Sequence, residues 1–288
     1  METVIELIKT VIYGILEGIT EWLPISSTGH LILLEELLPF NAKLVGDDFF
    51  EMFEVVIQLS ASIAVLGLFL KTLLPKFKNT GSGGFLHCEE NKKTFTLWGK
   101  IIVAVIPSAI IGLKLNEWFD EHFYNAKTVA AMLALYGIIY IIIEYARRDK
   151  SMPDDDVHSI SWGKALGMGC FQVLALVPGT SRSGSTILGG LLMGLSRSAA
   201  AEMSFFLALP TMLGASALKT LDFFLDGGAL NAAEIAILLV GCLVSYLVSV
   251  IAIKFLMGFV KKHTFIPFAI YRIILAVLVL VYFFLIKG

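Results

Sequence analysis

Apolar residues fall along this chain in long blocks, and two of the polar interruptions are unlike the others. Residues 4–23 are apolar with helical spacing, broken in their second half by Glu17 and Glu21. A polar loop follows, and residues 30–40 are apolar again, far short of the roughly 20 residues that a membrane span requires. Helix, polar loop and short helix predict a re-entrant hairpin over 4–38 rather than two spans. Residues 52–70, 101–115 (beginning near Leu97) and 128–146 predict three spans. The polar linker 149–160, with Asp154, Asp155 and Asp156, marks the midpoint. The second half repeats the plan: 161–177, a second polar loop, a short block at 184–195, then spans over 201–218, 233–256 and 267–286.

Loop charges orient this pattern, because basic loops stay cytoplasmic. The loop 71–100 (Lys71, Lys76, Lys78, Lys92, Lys93 and Lys100, with Gly81-Ser82-Gly83-Gly84 as a flexible tip), the stretch 147–160 beginning at Arg147-Arg148, and 257–266 with Lys261 and Lys262 are placed inside. The loops 38–52 (Asp47, Asp48 and Glu51 against Lys43), 116–127 and 219–232 are acidic on balance and placed outside. The assignment closes only if the hairpins 4–38 and 161–196 each return to the side they entered from, the first from outside and the second from inside. Both termini are then outside. The expected fold is an all-α polytopic membrane protein, one integral domain over 1–288. It is an inverted-topology repeat of about 1–148 and about 161–288, each half a re-entrant hairpin plus three transmembrane helices. Sliding 14–33 onto 169–188 pairs Gly14 with Gly169, Ser26 with Ser181, Gly29 with Gly184, Ile32 with Ile187 and Leu33 with Leu188. Glu17 falls opposite Gln172 and Thr28 opposite Ser183. The topological agreement is the stronger argument for the repeat.

Composition agrees. The 288 residues are 57% hydrophobic and 16% charged, where a soluble domain carries roughly 25% charged residues. A net charge of −2 excludes a bulk basic surface for nucleic acid. Met1-Glu2-Thr3 lacks the basic region of a signal peptide, so no cleavage is expected. Cys88, Cys170 and Cys242 have no regular spacing, which predicts free thiols without a catalytic role.

The candidate chemistry lies in the two polar loops, since non-helical backbone at membrane depth must be buried in protein or line a wet cavity. Glu17 and Glu21 are four apart and share a helix face. Two carboxylates in low dielectric repel unless a proton or a cation lies between them, and a hard divalent ion shared with a substrate phosphate would resolve this. The alternative is a helix end reaching interfacial water. Ser26 and Ser27 precede the short helix and either can cap it. A capped helix N-terminus can also face a phosphate, and a Ser hydroxyl there becomes a nucleophile if a base is near. His30 lies within a helical turn of both serines and is alone among the five His in an apolar setting, where it is either such a base or structural. Arg182, flanked by Thr180, Ser181, Ser183, Gly184, Ser185 and Thr186, requires an anionic partner. That partner is either a phosphate gripped by its planar fork or a glutamate, Glu17 or Glu21. Gly179 and Gly184 permit a close backbone approach to an anion. Glu54 and Glu202 open the first span of each half and are expected to support the site. Arg272 lies near the start of the last span; Lys114, Lys219 and Lys254 can snorkel. Trp22, Trp98, Trp118 and Trp162 fit interfacial anchors or packing.

The stretches Glu17-Gly-Ile-Thr-Glu21-Trp-Leu-Pro-Ile-Ser-Ser-Thr-Gly-His30 and Pro178-Gly-Thr-Ser-Arg-Ser-Gly184 resemble the two signature motifs of the undecaprenyl pyrophosphate phosphatase, or bacitracin-resistance protein, family. Length, span pattern and motif spacing extend the resemblance over nearly the whole chain. It implies a multi-pass enzyme of the bacterial plasma membrane that removes the terminal phosphate of undecaprenyl diphosphate and recycles the carrier for cell-wall synthesis. It also implies a divalent cation, Mg²⁺ or Ca²⁺, and a pocket open to the outer face. Glu17 and Glu21 would handle metal or proton transfer. Ser27 and His30 would sit at the reacting phosphorus, with the choice of nucleophile open. Arg182, Ser181 and Thr186 would hold the diphosphate, and Ser26, Thr28, Gly179, Thr180, Ser183 and Gly184 would complete the surface that binds this polyprenyl lipid. A homo-oligomer is compatible with this reading. The competing reading is a transporter or flippase of a polyprenyl phosphate using the same midplane anion site. A purely structural subunit leaves the buried polar groups unexplained.

Overall fold

The computed structural model describes residues 2–42, 44–76, 89–148 and 156–286. The Gly81–Gly84 tip, Lys43, His87, Cys88, Asp154 and Asp155 lie outside them. All regular elements among the described residues are helical: α1 (Glu2–Thr20), α2 (Ser27–Leu37), α3 (Asp47–Leu68), α4 (Leu70–Leu73), α5 (Glu89–Phe123), α6 (Ala126–Ala146), α7 (Trp162–Val173), α8 (Arg182–Leu192), α9 (Arg197–Leu225), α10 (Ala232–Val260) and α11 (Ile266–Val281). Single 3₁₀ turns occupy Val157–Ser159 and Leu174–Leu176. Among the described residues six helices are long and apolar enough to cross a membrane: α3, α5, α6, α9, α10 and α11. They are the six blocks read as spans. Of the four blocks around the two loops three are shorter, with 11 residues in α2, 12 in α7 and 11 in α8, whereas α1 has 19.

Element ends differ from the apolar blocks in both directions: α5, α6, α9 and α10 run past theirs, whereas α1, α2, α7 and α8 stop short at their C-terminal ends. α5 has 35 residues and takes in Lys92, Lys93 and Lys100, placed in a loop by their charge. Glu89 and Glu90 in its first turn favour the helix dipole, and no glycine or proline interrupts that stretch until the helix is established. Neither Pro107 in α5 nor Pro210 in α9 ends its helix. α9 likewise continues through Asp222 to Leu225. An apolar block reports the segment that avoids water, whereas the helix continues as long as backbone bonds are satisfied.

α1 packs on α10 and α7 on α5, while α3 packs on α9 and α6 on α11. Small residues allow the first two contacts to be close. A Cβ on Gly14 would lie 3.0 Å from Val244 Cβ, and one on Gly18 would lie 2.7 Å from Val248 Cβ, both on α10. A Cβ on Gly169 of α7 would lie 1.8 Å from the Ala104 carbonyl of α5, which no rotamer can relieve. Gly169→Ala is therefore expected to lower stability by about 3 kcal/mol or more, at the upper end for overpacking. Thermal unfolding in detergent measures this, and an unchanged midpoint would show that α5 and α7 separate freely.

The main buried cluster contains Trp22, Leu23 and Ile25 from the first loop and Ile187, Leu188 and Leu191 from α8. The loops are thus enclosed in the middle of the bundle. Leu239 and Ile251 of α10 are 67% and 69% exposed, the apolar surface expected to face lipid. At one end of the bundle the buried Glu144 accepts from Arg197 Nε at 2.9 Å and from the Phe265 amide at 3.0 Å, which ties α6, α9 and α11 together.

Candidate active site

Both polar loops end in the same backbone device. Ser26 has φ 73° and caps α2, its Oγ accepting from the Gly29 amide at 3.3 Å. Ser181 has φ 75° and caps α8, its Oγ accepting from the Gly184 amide at 3.1 Å. A positive φ at a residue other than glycine costs about 1–3 kcal/mol and persists only where the surroundings impose it. Gly179, at φ +88°, has no room for a side chain, since a Cβ would lie 2.6 Å from the Val129 carbonyl. The reward for this strain is that two helix N-termini, each with unpaired backbone N–H groups, begin beside the same cluster of side chains.

Glu21 is the centre of that cluster. Arg182 Nη2 donates to its Oε1 at 2.8 Å, and Ser27 Oγ donates to its Oε2 at 2.8 Å. The side chains of Arg182 and Glu21 are only 8% and 5% exposed, so the pair is little screened. Arg182 Nη1 donates to the Ser204 carbonyl at 2.7 Å, and its guanidinium lies 5.9 Å from the Trp22 ring centre. Arg182 Nε is buried without a partner among the described residues. Ser183 Oγ donates to the Glu21 carbonyl at 2.9 Å, a further tie between the loops. Of the two glutamates weighed as partners for Arg182, Glu21 is the one it engages. Trp22 is fully buried beneath it and is no interfacial anchor.

Glu17 is fully buried, and neither carboxylate oxygen has a hydrogen-bond partner among the described residues. Glu17 and Glu21 are the carboxylates at this site that a cation could engage. No group of three or more His, Cys, Asp or Glu among the described residues is arranged to hold a metal by itself. Glu54 lies close enough to interact with the charge of Glu17. Glu202 instead interacts with Asp156 and Lys261, away from the loops.

His30 does not join Ser27. Its Nδ1 is 2.6 Å from the Ser26 carbonyl, which can only accept, so Nδ1 carries a proton. Nε2 is 2.7 Å from the Tyr271 hydroxyl, and in the neutral ring it accepts from that group. The two rings are nearly parallel at 5.6 Å. Tyr271 was not legible in the sequence, where it is one aromatic residue in an apolar block. The remaining loop residues divide. Ser181 Oγ and Ser183 Oγ lie 3.2 Å apart, and Thr28 is half-buried at the start of α2. Thr180 and Thr186 are fully buried, and Thr186 Oγ1 turns to Ser204 Oγ of α9 at 2.6 Å.

Arg272 holds the frame. It is fully buried and donates to the carbonyls of Pro24 (3.2 Å), Gly179 (2.9 Å), Thr180 (3.0 Å), Met132 (3.3 Å) and Leu133 (3.4 Å). One guanidinium therefore joins both loops to α6. Tyr140 adds a bond from its hydroxyl to the Gly184 carbonyl at 2.7 Å.

Membrane-length helices surrounding a buried acid, guanidinium and hydroxyl cluster define a multi-pass membrane protein with an enclosed polar site. The chain belongs to the bacitracin resistance protein BacA family, whose model matches residues 10–278. It is 48% identical to the undecaprenyl-diphosphatase of Latilactobacillus sakei subsp. sakei over 96% of this chain and 97% of that protein. It is 48% identical to the undecaprenyl-diphosphatase of Lactococcus lactis subsp. cremoris over 96% of this chain and 97% of that one. Identity to the undecaprenyl-diphosphatase of Enterococcus faecalis is likewise 48%, over 95% of this chain and 96% of the relative.

Proposed function

We propose that this protein is an undecaprenyl-diphosphate phosphatase of the bacterial plasma membrane, recycling the lipid carrier for cell-wall synthesis and so conferring bacitracin resistance. The observation that carries the reading is the Glu21 carboxylate, which receives Ser27 on one oxygen and Arg182 on the other. Ser27 Oγ attacks the terminal phosphorus and its proton passes to Glu21 Oε2. The bond from that phosphorus to the bridging oxygen breaks and the monophosphate lipid leaves. Water then hydrolyses the phosphoserine to inorganic phosphate. The carboxylate contact favours Ser27 over His30 as nucleophile. His30 acts as a positioning residue, its Nδ1–H bond bracing the strained Ser26 turn. Negative charge on the diphosphate is met by Arg182 and by the N-termini of α2 and α8, with Ser181 beside Arg182.

A divalent cation, Mg²⁺ or Ca²⁺, fits Glu17 and Glu21. The two unpartnered oxygens of Glu17 are costly to bury unless a proton or an ion satisfies them. One or two carboxylates completed by phosphate oxygens are a common Mg²⁺ environment. Bound there, the ion would offset part of the diphosphate charge.

The architecture we infer is an inverted repeat in which α1–α2 and α7–α8 are re-entrant hairpins. Supporting it are the matched caps at Ser26 and Ser181 and the matched close contacts at Gly14 and Gly169. Exchange of the halves also turns the α1–α10 packing into α7–α5. The basic residues at the start of α5 and after α6 and α10 favour placing that face inside; an opening of the site to the outer face is what the family resemblance implies.

Phosphate release from an isoprenyl diphosphate by the detergent-purified protein, with Mg²⁺ and then with chelator, tests the reading. Release should require the ion and fall about 10³-fold or more in Ser27→Ala and Glu21→Ala, as for loss of a nucleophile or its base. His30→Ala should lose less. No release by folded wild type would transfer the site to a polyprenyl phosphate transporter or flippase.

A further inference from the structure

A second polar cleft lies at the start of α5 and shares no residue with the two loops. It is a cavity of about 220 Å³ lined by Lys71, Lys76, Glu90, Lys93, Thr94 and His158, among others. Since a water molecule takes about 30 Å³ of liquid volume, a phosphate group fits there with part of its hydration. The walls are fixed by side chains bonded to backbone. Asn91 accepts from the Lys76 amide at 2.8 Å and donates to the Lys76 carbonyl at 3.2 Å. Lys100, which is buried, donates Nζ to the His158 carbonyl at 2.9 Å. Trp98 Nε1 donates to the Leu73 carbonyl at 2.7 Å, just behind the cleft.

The charges lining this cleft are not balanced. Lys76 pairs with Glu90 at 2.7 Å. Lys71 and Lys93 form no ion pair within 4.0 Å among the described residues, although Lys93 lies one helical turn from Glu89 and feels its charge. His158 also lines the cleft; its Nδ1 is closed to solvent and has no hydrogen-bond partner among the described residues. One side of the lining is apolar, where Leu74 is 45% exposed. Three lysines against one glutamate in the lining, two of them without an ion pair among the described residues, beside the apolar Leu74, match an anionic headgroup whose tail runs along the helices. Basic pockets between membrane helices bind such headgroups, and lysine serves phosphate as a mobile point charge.

We propose that this cleft binds a phosphate group, carried by an anionic phospholipid or present as free inorganic phosphate, at a site separate from Glu21 and Arg182. The test uses the full-length protein in detergent. Native mass spectrometry reads retention of phosphatidylglycerol against phosphatidylcholine, and titration calorimetry reads binding of inorganic phosphate. Lys71→Gln/Lys93→Gln and, separately, His158→Gln are compared with wild type after their thermal midpoints are matched. The double variant is expected to weaken the bound anion by about 30-fold, the effect of two lysines near an anionic headgroup. His158→Gln should weaken it less. Loss of phosphatidylglycerol in the double variant identifies a lipid headgroup as the ligand. Loss of phosphate binding alone identifies the free anion. Equal retention of both lipids by wild type without phosphate binding, or binding that the double variant leaves unchanged, overturns the proposal.

Discussion

Arg182→Ala is expected to reduce kcat/KM for phosphate release by about 10³-fold or more, in the range seen when a charge-stabilising group is removed from phosphoryl transfer. The guanidinium is the cation that the structure places against Glu21, within reach of Ser27 through that carboxylate. Its removal also leaves Glu21 buried without its ion pair, which costs about 3–5 kcal/mol in comparable sites. The two effects separate in a second variant. Adding Glu21→Gln to Arg182→Ala removes the orphaned charge, so the thermal midpoint should recover while turnover stays lost. Arg182→Lys should remain at least about 100-fold impaired, because one ammonium cannot span both Glu21 and the Ser204 carbonyl as the fork does. Normal phosphate release by a folded Arg182→Ala protein would remove the residue from the mechanism.

Arg272→Met is expected to be the most destabilising single change in the chain. Methionine fills much of the volume but donates to none of the five carbonyls that Arg272 engages. A buried polar group left unmet costs about 1–3 kcal/mol, and the carbonyls can relax only partly because two belong to the tight Gly179–Thr180 turn. The loss should be at least about 4 kcal/mol in thermal or denaturant unfolding. Turnover should fall with it, since the Pro24 and Gly179 backbones would no longer be held together. Arg272→Lys should be intermediate. A midpoint near that of wild type for Arg272→Met would mean that the loops are held by their packing alone.

The membrane-length helices were legible because an apolar block is a direct statement about solvent. The polar loops were legible for the complementary reason, as hydroxyls and charges that interrupt such blocks. Arg182 and Glu21 could be weighed as partners because both carry charge. Two of the contacts that remained hidden share one property: the partner is a main-chain atom. Arg272 is held by carbonyls, which every residue has, so nothing in the sequence marks Pro24 or Gly179 as its partners. His30 gives its Nδ1–H to the Ser26 carbonyl, and the spacing that suggested a Ser27–His30 pair could not show that this nitrogen is already engaged. The left-handed backbone at Ser26 and Ser181 was hidden too, because serine gives no hint of a conformation usually left to glycine. Lys92, Lys93 and Lys100 were read as loop because charge marks the end of a membrane segment but not the end of a helix.

The bond from Arg182 to Glu21 spans 161 residues of chain, and the bond from Arg272 to Pro24 spans 248. A chain emerging from the ribosome makes the carboxylates first, the guanidinium of Arg182 much later and the arginine that clamps both loops almost last. Domains are made from the N-terminus at about 5–20 residues per second, so a newly inserted first half waits many seconds with Glu17 and Glu21 unpaired. A chain arrested before Arg272 can already join its two loops through Arg182, Ser183 and Glu21, but it lacks the guanidinium that fixes both of them to α6.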